Sequence, residues 1–208
     1  CMLMAKSSTL VVIPEHLSAF PASILKILEE HKVTFLFWVP TIMVNIANMD
    51  LLSSIQLPAL KTVWFAGEVF PTKQFNYWRK MLPQTTFANL YGPIEITLDC
   101  TCFIVNREIK DEESIPIGFP CRNTDILILD ADNKLVTEAG KEGELCVRGT
   151  SLAMGYYNNP EKTASAFVQN PLNHAYPETI YRTGDVVVIN ERGEIVFKGR
   201  KDTLIKHM

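Results

Sequence analysis

In the first half of the chain, short apolar runs alternate with stretches whose apolar residues recur every three or four positions. The runs cover residues 9–13, 33–39, 61–66 and 85–91, and the helical patterns cover residues 21–31, a segment that begins at Pro40, and residues 71–81. Strands that alternate with helices of this length predict a mainly parallel sheet. The run at 33–39 is unbroken, so we expect a strand that is covered on both faces.

The second half of the chain has a different secondary-structure pattern. A charged linker at residues 111–113 is followed by short strand patterns at 125–129, 143–147, 181–189 and 194–198, a spacing typical of an antiparallel barrel or sandwich. Asn159 and Pro160 predict the start of one helix, and residues 154–157 are interpreted as barrel structure. The predicted fold class is α/β, with a parallel-sheet α/β subdomain over residues 1–105 followed by a small distorted β-barrel over residues 106–198.

The amino-acid composition argues against several classes of function. The 208 residues are 47% hydrophobic, which is ample for a packed core, and the net charge of −3 shows no basic surplus for nucleic acid. The longest apolar stretch, residues 33–40, is too short to span a membrane, and no export signal is visible. The five cysteines and four histidines have no zinc spacing. We therefore expect the reduced thiols of a cytoplasmic protein.

Three polar turns carry the chemistry, at residues 89–95, 181–185 and 199–202. Each places a ring, a carboxylate or a guanidinium at a turn marked by glycine after a β-rich run. Side chains at such turns are poorly placed to build a core and well placed to meet a ligand. A ring for stacking, one acid for hydroxyls, one acid for a metal ion and an arginine together suit a nucleotide.

The turns also form an ordered set of motifs. Asn89-x-Tyr91-Gly92-Pro93-x-Glu95 comes first, the Gly-Glu-Leu run at 143–149 leads into Gly155-Tyr156, and the turns at 181–185 and 199–202 follow. This set resembles the core motifs of the adenylate-forming enzymes, whose large domain has an acetyl-CoA synthetase-like fold, and the resemblance spans essentially the whole chain. Within that superfamily, residues 64–71 and 114–118 look most like D-alanine–carrier protein ligases and related amino-acid adenylation domains.

The resemblance implies a two-step reaction. A small carboxylic or amino acid attacks the α-phosphate of ATP, with Mg²⁺ as cofactor, to give an acyl-adenylate and pyrophosphate. The thiol of a phosphopantetheinyl carrier protein, or of CoA, then captures the acyl group. Two alternatives stay open, an acyl-CoA synthetase and a non-catalytic nucleotide-binding relative.

The resemblance also implies roles for particular residues. Tyr91 would stack on adenine, Asp185 would accept hydrogen bonds from the ribose hydroxyls, and Arg200 would reach ribose and phosphate. The full set implied to bind the nucleotide is Gly67, Glu68, Val69, Asn89, Leu90, Tyr91, Gly92, Pro93, Ile94, Asp185, Phe197, Lys198, Gly199 and Arg200.

Other positions are implied to serve the metal, the substrate and the hinge. Glu95 matches the magnesium-binding carboxylate, although an acid in the first turn of a helix is the alternative. Ala66 and Leu98 would face the acyl or amino-acid pocket, although both are equally well explained as core. Asp202 matches the residue about which a smaller C-terminal domain would rotate. Residues 199–208 would form the start of that hinge.

The chain departs from the family pattern in two ways. Ile94 stands where the pattern usually has threonine, whose hydroxyl helps to hold phosphate. The glycine-rich phosphate loop would lie before Cys1, and the catalytic lysine would lie after Met208. We therefore expect a piece of the large N-terminal domain that contains no catalytic residue and is inactive by itself.

Overall fold

The computed structural model describes residues 7–17 and 19–202. The chain divides into two compact units, one of residues 1–87 with 109–112 and one of residues 88–108 with 113–208. The predicted domain bounds (1–105, 106–198 and 199–208) stay a prediction, and the compact units divide earlier in the sequence. The predicted hinge is described only as far as Asp202.

The first unit contains the predicted alternation of helices and strands. Its elements are α1 (Pro21–Glu30), β1 (Phe35–Trp38), α2 (Pro40–Asn48), β2 (Thr62–Phe65) and α3 (Thr72–Met81), with 3-10 turns at Glu15–Leu17 and Leu51–Ser53. Strands β1 and β2 pair in parallel, with Phe35 opposite Thr62 and Trp38 opposite Phe65. The next strand, β3 (Thr86–Tyr91), begins in this unit and ends in the other.

Large apolar side chains from α2, β2 and α3 form the core of the first unit. Met43, Phe65, Phe75 and Trp78 are fully buried, and the Trp78 indole N–H donates to the Met43 carbonyl at 2.9 Å. The indole therefore contributes apolar contact area without leaving a buried donor unsatisfied. The apolar period of residues 71–81 correctly predicted this helix and its buried face.

Two predictions about the first unit are wrong. Residues 9–13 form no strand, and Leu10 and Val12 are exposed by 63% and 75%. Strand β1 is not covered on both faces, because Phe35 and Phe37 are exposed by 44% and 42%. Each ring contacts Trp64 edge-on, so residue types that favour a strand did not reveal how many of its faces are covered.

The second unit is antiparallel. The end of β3 pairs with β4 (Thr101–Ile104), which pairs with β5 (Phe119–Pro120). A second sheet contains β6 (Thr124–Leu129), β7 (Glu142–Gly149), β8 (Phe167–Gln169), β9 (Thr179–Ile189) and β10 (Ile195–Arg200). Its order is β10-β9-β7-β6, with β8 paired to β9. Helix α4 (Pro160–Ala166) interrupts the strands, and the Asn159 side chain caps it by accepting from the Lys162 N–H at 3.0 Å.

The second sheet curls around a core of its own, to which Ile96, Leu145, Val147, Val187 and Ile195 belong. The predicted fold class is therefore confirmed: parallel strands with helices are followed by a curled antiparallel half-barrel. Strands β4, β5 and β8 were not predicted. Among the described residues, no helix has the length and apolarity that a membrane crossing requires.

Candidate functional site

The turn after β3 is closely packed. Tyr91 ends the strand, Gly92 and Pro93 follow, and Ile94–Ile96 form a 3-10 turn. A Cβ added to Gly92 would lie 2.2 Å from the Leu98 carbonyl oxygen. The chain can therefore return past the end of β3 only if residue 92 has no side chain.

Asp185 connects the three predicted turns. It is 7% exposed and lies on β9. The Tyr91 hydroxyl donates to its Oδ2, and Arg200 Nη1 donates to its Oδ1 at 3.1 Å and to the Thr183 carbonyl at 2.7 Å. The structure therefore brings a ring, a carboxylate and a guanidinium from distant parts of the sequence into direct contact.

The Tyr91 phenol is held in its neutral form. Burial, followed by the nearby charge of Asp185, raises the pKa of Tyr91 far above its usual value. The hydroxyl therefore remains a hydrogen-bond donor at all ordinary pH values, which fixes the ring at the end of β3.

Phe197 faces the same group of residues from β10. Its ring centroid lies 6.4 Å from that of Tyr91, with the planes inclined by 36°. The register between β9 and β10 shifts between Phe197 and Gly199, so that Phe197 pairs with Val187 and Arg200 pairs with Asp185. Lys198, the residue at this bulge, is exposed.

Glu95 lies in the 3-10 turn, and the Tyr156 hydroxyl donates to its Oε1 at 2.7 Å. The Tyr181 hydroxyl also acts to lower the pKa of this carboxylate. Burial acts to raise the pKa of Glu95, but these hydroxyl groups outweigh it and hold the pKa below its usual range. The side chain is therefore an ionised, hard oxygen donor.

The Glu95 site fits magnesium only with help from a ligand. Among the described residues, no group of three or more His, Cys, Asp or Glu side chains could hold a metal ion. Magnesium is commonly bound through one or two carboxylates together with substrate phosphates and water. Glu95 could supply the single carboxylate of that mode.

Sequence reasoning missed Tyr156. Residues 154–157 were interpreted as barrel structure, but they lie in a loop outside the strands, and Met154 and Tyr157 are fully exposed. The sequence signal for Tyr156 is the Gly155-Tyr156 pair, which belongs to one of the motifs. The motif does not show which residue the Tyr156 hydroxyl contacts.

Some predicted nucleotide-binding residues face the protein interior. Asn89 is 8% exposed, and its amide donates to the Pro116 carbonyl at 2.8 Å. Leu90 is also buried. These side chains hold the end of β3 in place, while Ile94 and Leu98 are exposed by 85% and 60%.

The remaining predicted positions of the second unit lie at the end of β10. Gly199 precedes Arg200, whose Nε donates to Asp202 Oδ1 at 3.3 Å. Asp202 is exposed. Its role as a pivot stays a prediction.

Ala66, Gly67, Glu68 and Val69 lie in the first unit, directly after β2. Glu68 Oε2 accepts the backbone N–H of Thr41 at 2.9 Å and its hydroxyl at 2.5 Å. Thr41 is in the first turn of α2, so the Glu68 carboxylate satisfies an open donor at that helix end. Gly67 has a φ of +88°, which favours glycine, and Val69 is exposed by 69%.

Comparison with known proteins gives matches over most of the chain. The family described as AMP-binding enzyme matches residues 1–157. Zwittermicin A synthase ZmaJ of Bacillus cereus is 35% identical over 192 residues, which cover 90% of this chain and 36% of that protein. L-proline–[L-prolyl-carrier protein] ligase of Streptomyces coelicolor is 30% identical over 197 residues, which cover 94% and 35%.

A solved structure agrees with these sequence matches. The Vibrio cholerae adenylation domain AlmE, crystallised in complex with glycyl-adenosine-5'-phosphate, has a TM-score of 0.79 and 28% identity to this chain, covering 91% of this chain and 35% of that one. The chain thus spans about a third of the length of these proteins. Its motifs, its fold and the match over residues 1–157 show that the chain belongs to the AMP-binding enzymes of the adenylate-forming superfamily.

Proposed function

We propose that the full-length protein carrying this chain is an ATP-dependent ligase that activates a small amino acid, with D-alanine favoured, and transfers it to a carrier protein. The observation that carries the proposal is the contact of Asp185 with both Tyr91 and Arg200. A nucleoside needs an aromatic face and an acceptor for its hydroxyls, and these residues supply both.

In this proposal the nucleotide binds through the second-unit residues. The Tyr91 ring stacks on adenine, and Asp185 accepts from the ribose hydroxyls. A carboxylate has about four lone-pair sites, so Asp185 keeps capacity for a ligand while it holds Tyr91 and Arg200. Phe197, Lys198 and Gly199 line the same wall.

The reaction follows from the family. The substrate carboxylate attacks the α-phosphorus of ATP and pyrophosphate leaves; the carrier thiol then attacks the acyl carbon and AMP leaves. Magnesium, when bound, would offset the negative charge that develops on the phosphate oxygens. Glu95 is the residue of this chain that would hold it, and Leu98 would face the substrate pocket.

The substrate and acceptor are inferred from relatives and from local sequence. The Streptomyces relative is named as a ligase for a carrier protein, and the Vibrio domain holds a glycyl adenylate. Residues 64–71 and 114–118 favour D-alanine within this group. The four cysteines of the described segment are free thiols, which favours a reducing, cytoplasmic setting.

Exchange of pyrophosphate into ATP tests the proposal directly. The full-length protein should exchange labelled pyrophosphate into ATP when offered the correct acid from D-alanine, L-alanine, glycine, L-proline and a short fatty acid. A signal with the fatty acid alone would favour the acyl-CoA synthetase. Absence of exchange across a broad amino-acid and fatty-acid panel would count heavily against adenylation.

Ile94 favours one alternative, a relative that binds nucleotide without turnover. Its side chain is 85% exposed, in the turn between Tyr91 and Glu95, where the family pattern places a phosphate-binding hydroxyl. An exposed isoleucine contributes little to packing, so the fold does not explain why it replaces threonine.

Substituting Ile94→Thr should raise the exchange rate at subsaturating ATP by about threefold to tenfold, because one added hydrogen bond contributes about 0.5–1.5 kcal/mol. Thermal stability should stay the same, since the position is exposed. Ile104→Thr, at a second exposed isoleucine, is the matched control and should change neither quantity. A protein that is inactive before and after Ile94→Thr would fit the alternative without turnover.

A further inference from the structure

We propose that Tyr156 is a positioning residue that aims the Glu95 carboxylate at a divalent cation on the nucleotide phosphates. The inference rests on the proposed function, which assigns Glu95 to the cation. It concerns a residue outside every predicted binding position. The hydroxyl of Tyr156 lies 2.7 Å from Glu95 Oε1.

The loop that carries Tyr156 is bound to the turn that carries Glu95. The Ala153 N–H donates to the Glu95 carbonyl at 2.8 Å, and the Thr97 hydroxyl donates to the Ser151 carbonyl at 2.8 Å. The backbone contacts and the side-chain contact therefore join the same two segments. The loop cannot shift without moving the metal-binding turn.

The Tyr156 ring is itself held from helix α4 and strand β8. Its backbone N–H donates to the Thr163 hydroxyl at 2.9 Å, and its ring packs edge-on against Phe167 at a centroid distance of 5.8 Å. The Lys162 ammonium lies 4.1 Å from the ring centroid, a cation–π contact. The ring thus presents its hydroxyl from a fixed direction.

Gly155 allows this arrangement. It has a φ of +133°, and a Cβ there would lie 2.4 Å from a methyl carbon of Thr163. The structure therefore explains why glycine precedes Tyr156. Gly155 lets the loop approach α4, and the backbone N–H of Tyr156 can then donate to the Thr163 hydroxyl.

A hydrogen bond to a ligating carboxylate has a known effect. Groups that bind a metal ligand from outside the coordination sphere fix its orientation, and their loss typically lowers metal affinity 10-fold to 100-fold. The Tyr156 hydroxyl takes up one lone pair of the Glu95 carboxylate and leaves others for a cation.

The test compares two adjacent tyrosines in the full-length protein. Tyr156→Phe removes the hydroxyl and keeps the ring against Phe167 and Lys162. Tyr157→Phe is the matched control, because the Tyr157 side chain is fully exposed. Mn²⁺ binding in the presence of ATP is measured from the electron paramagnetic resonance signal of free Mn²⁺, and AMP affinity is measured by calorimetry without metal.

We expect Tyr156→Phe to weaken Mn²⁺ binding about 10-fold and to leave metal-free AMP affinity unchanged, while Tyr157→Phe changes neither. Glu95→Gln distinguishes the possible failures. If Glu95→Gln weakens Mn²⁺ binding and Tyr156→Phe does not, the inference is overturned and the proposed function stands. If Glu95→Gln also has no effect, the metal role of Glu95 fails and the inference fails with it. Equal losses of Mn²⁺ and AMP affinity in Tyr156→Phe would indicate general disruption and would overturn the inference.

Discussion

Asp185→Asn should weaken AMP binding by about 100-fold or more. Hydrogen bonds to a charged group contribute about 1.5–3 kcal/mol each, and asparagine offers the two ribose hydroxyls one neutral acceptor oxygen in place of a carboxylate. Asparagine keeps the size of the side chain, but the Arg200 guanidinium loses the charged partner that lies at 3.1 Å. The affinity is measured by calorimetry with AMP, which lacks the β- and γ-phosphates and is added without metal.

Asp132→Asn is the control for this experiment. Asp132 is exposed in the turn after β6, and its ion pair with Lys134 is 3.8 Å long between exposed side chains. Its replacement should leave AMP affinity and melting temperature unchanged. AMP affinity that is equal in Asp185→Asn and in the parent would refute the assignment of Asp185 to the ribose.

Gly92→Ala should destabilise the protein and abolish nucleotide binding together. The added Cβ would lie 2.2 Å from the Leu98 carbonyl oxygen and 2.6 Å from the Asp99 Cα. Both obstacles are backbone atoms, so the turn must open. Tyr91 would then move away from Asp185, and the Cys100 N–H, which donates to the Tyr91 carbonyl at 2.8 Å, would move with it. We expect a loss of about 1–3 kcal/mol in the free energy of unfolding.

Gly140→Ala is the control for this experiment, because it shows the effect of backbone strain without steric crowding. Gly140 has a φ of +79° and nothing within 4 Å of an added Cβ, so only the left-handed conformation is penalised, by about 1–2 kcal/mol. Urea unfolding and AMP calorimetry are run on both variants. The Gly140 variant should bind AMP normally. Normal binding by the Gly92 variant would show that the turn tolerates a side chain and that its packing does not set the position of Tyr91.

The sequence predicted those features that depend on local pattern. Helix α3 and helix α4 follow from apolar period and from the Asn159 cap, and both are present where expected. The contact between Tyr91 and Asp185 spans 94 residues. The sequence did not predict this contact; only the similarity of the turn motifs to those of one superfamily assigned both residues to the same nucleotide, since spacing alone does not bring two turns together.

Features that depend on tertiary contacts were not predictable. Strand β4 is four residues long and follows the turn that contains Glu95, so no alternating pattern of useful length marks it. The contact of Tyr156 with Glu95 spans 61 residues and comes from a loop. Asn89 was assigned to the nucleotide, but its amide is directed to the Pro116 carbonyl. A motif residue can therefore support a site by bracing the strand beside it.

The bulge at Lys198 decides which side chains of the hairpin formed by β9 and β10 face the same side. Residues three apart in a regular strand point to opposite sides. Phe197 and Arg200 nevertheless share the side of Asp185, because β10 has one surplus residue, Lys198, between them. With uniform pairing, the same sequence would set Gly199 across from Asp185 and Arg200 across from Gly184, with the guanidinium on the reverse side. A shift of one residue in the strand pairing therefore decides whether the Arg200 guanidinium reaches the Asp185 carboxylate, although the sequence is the same.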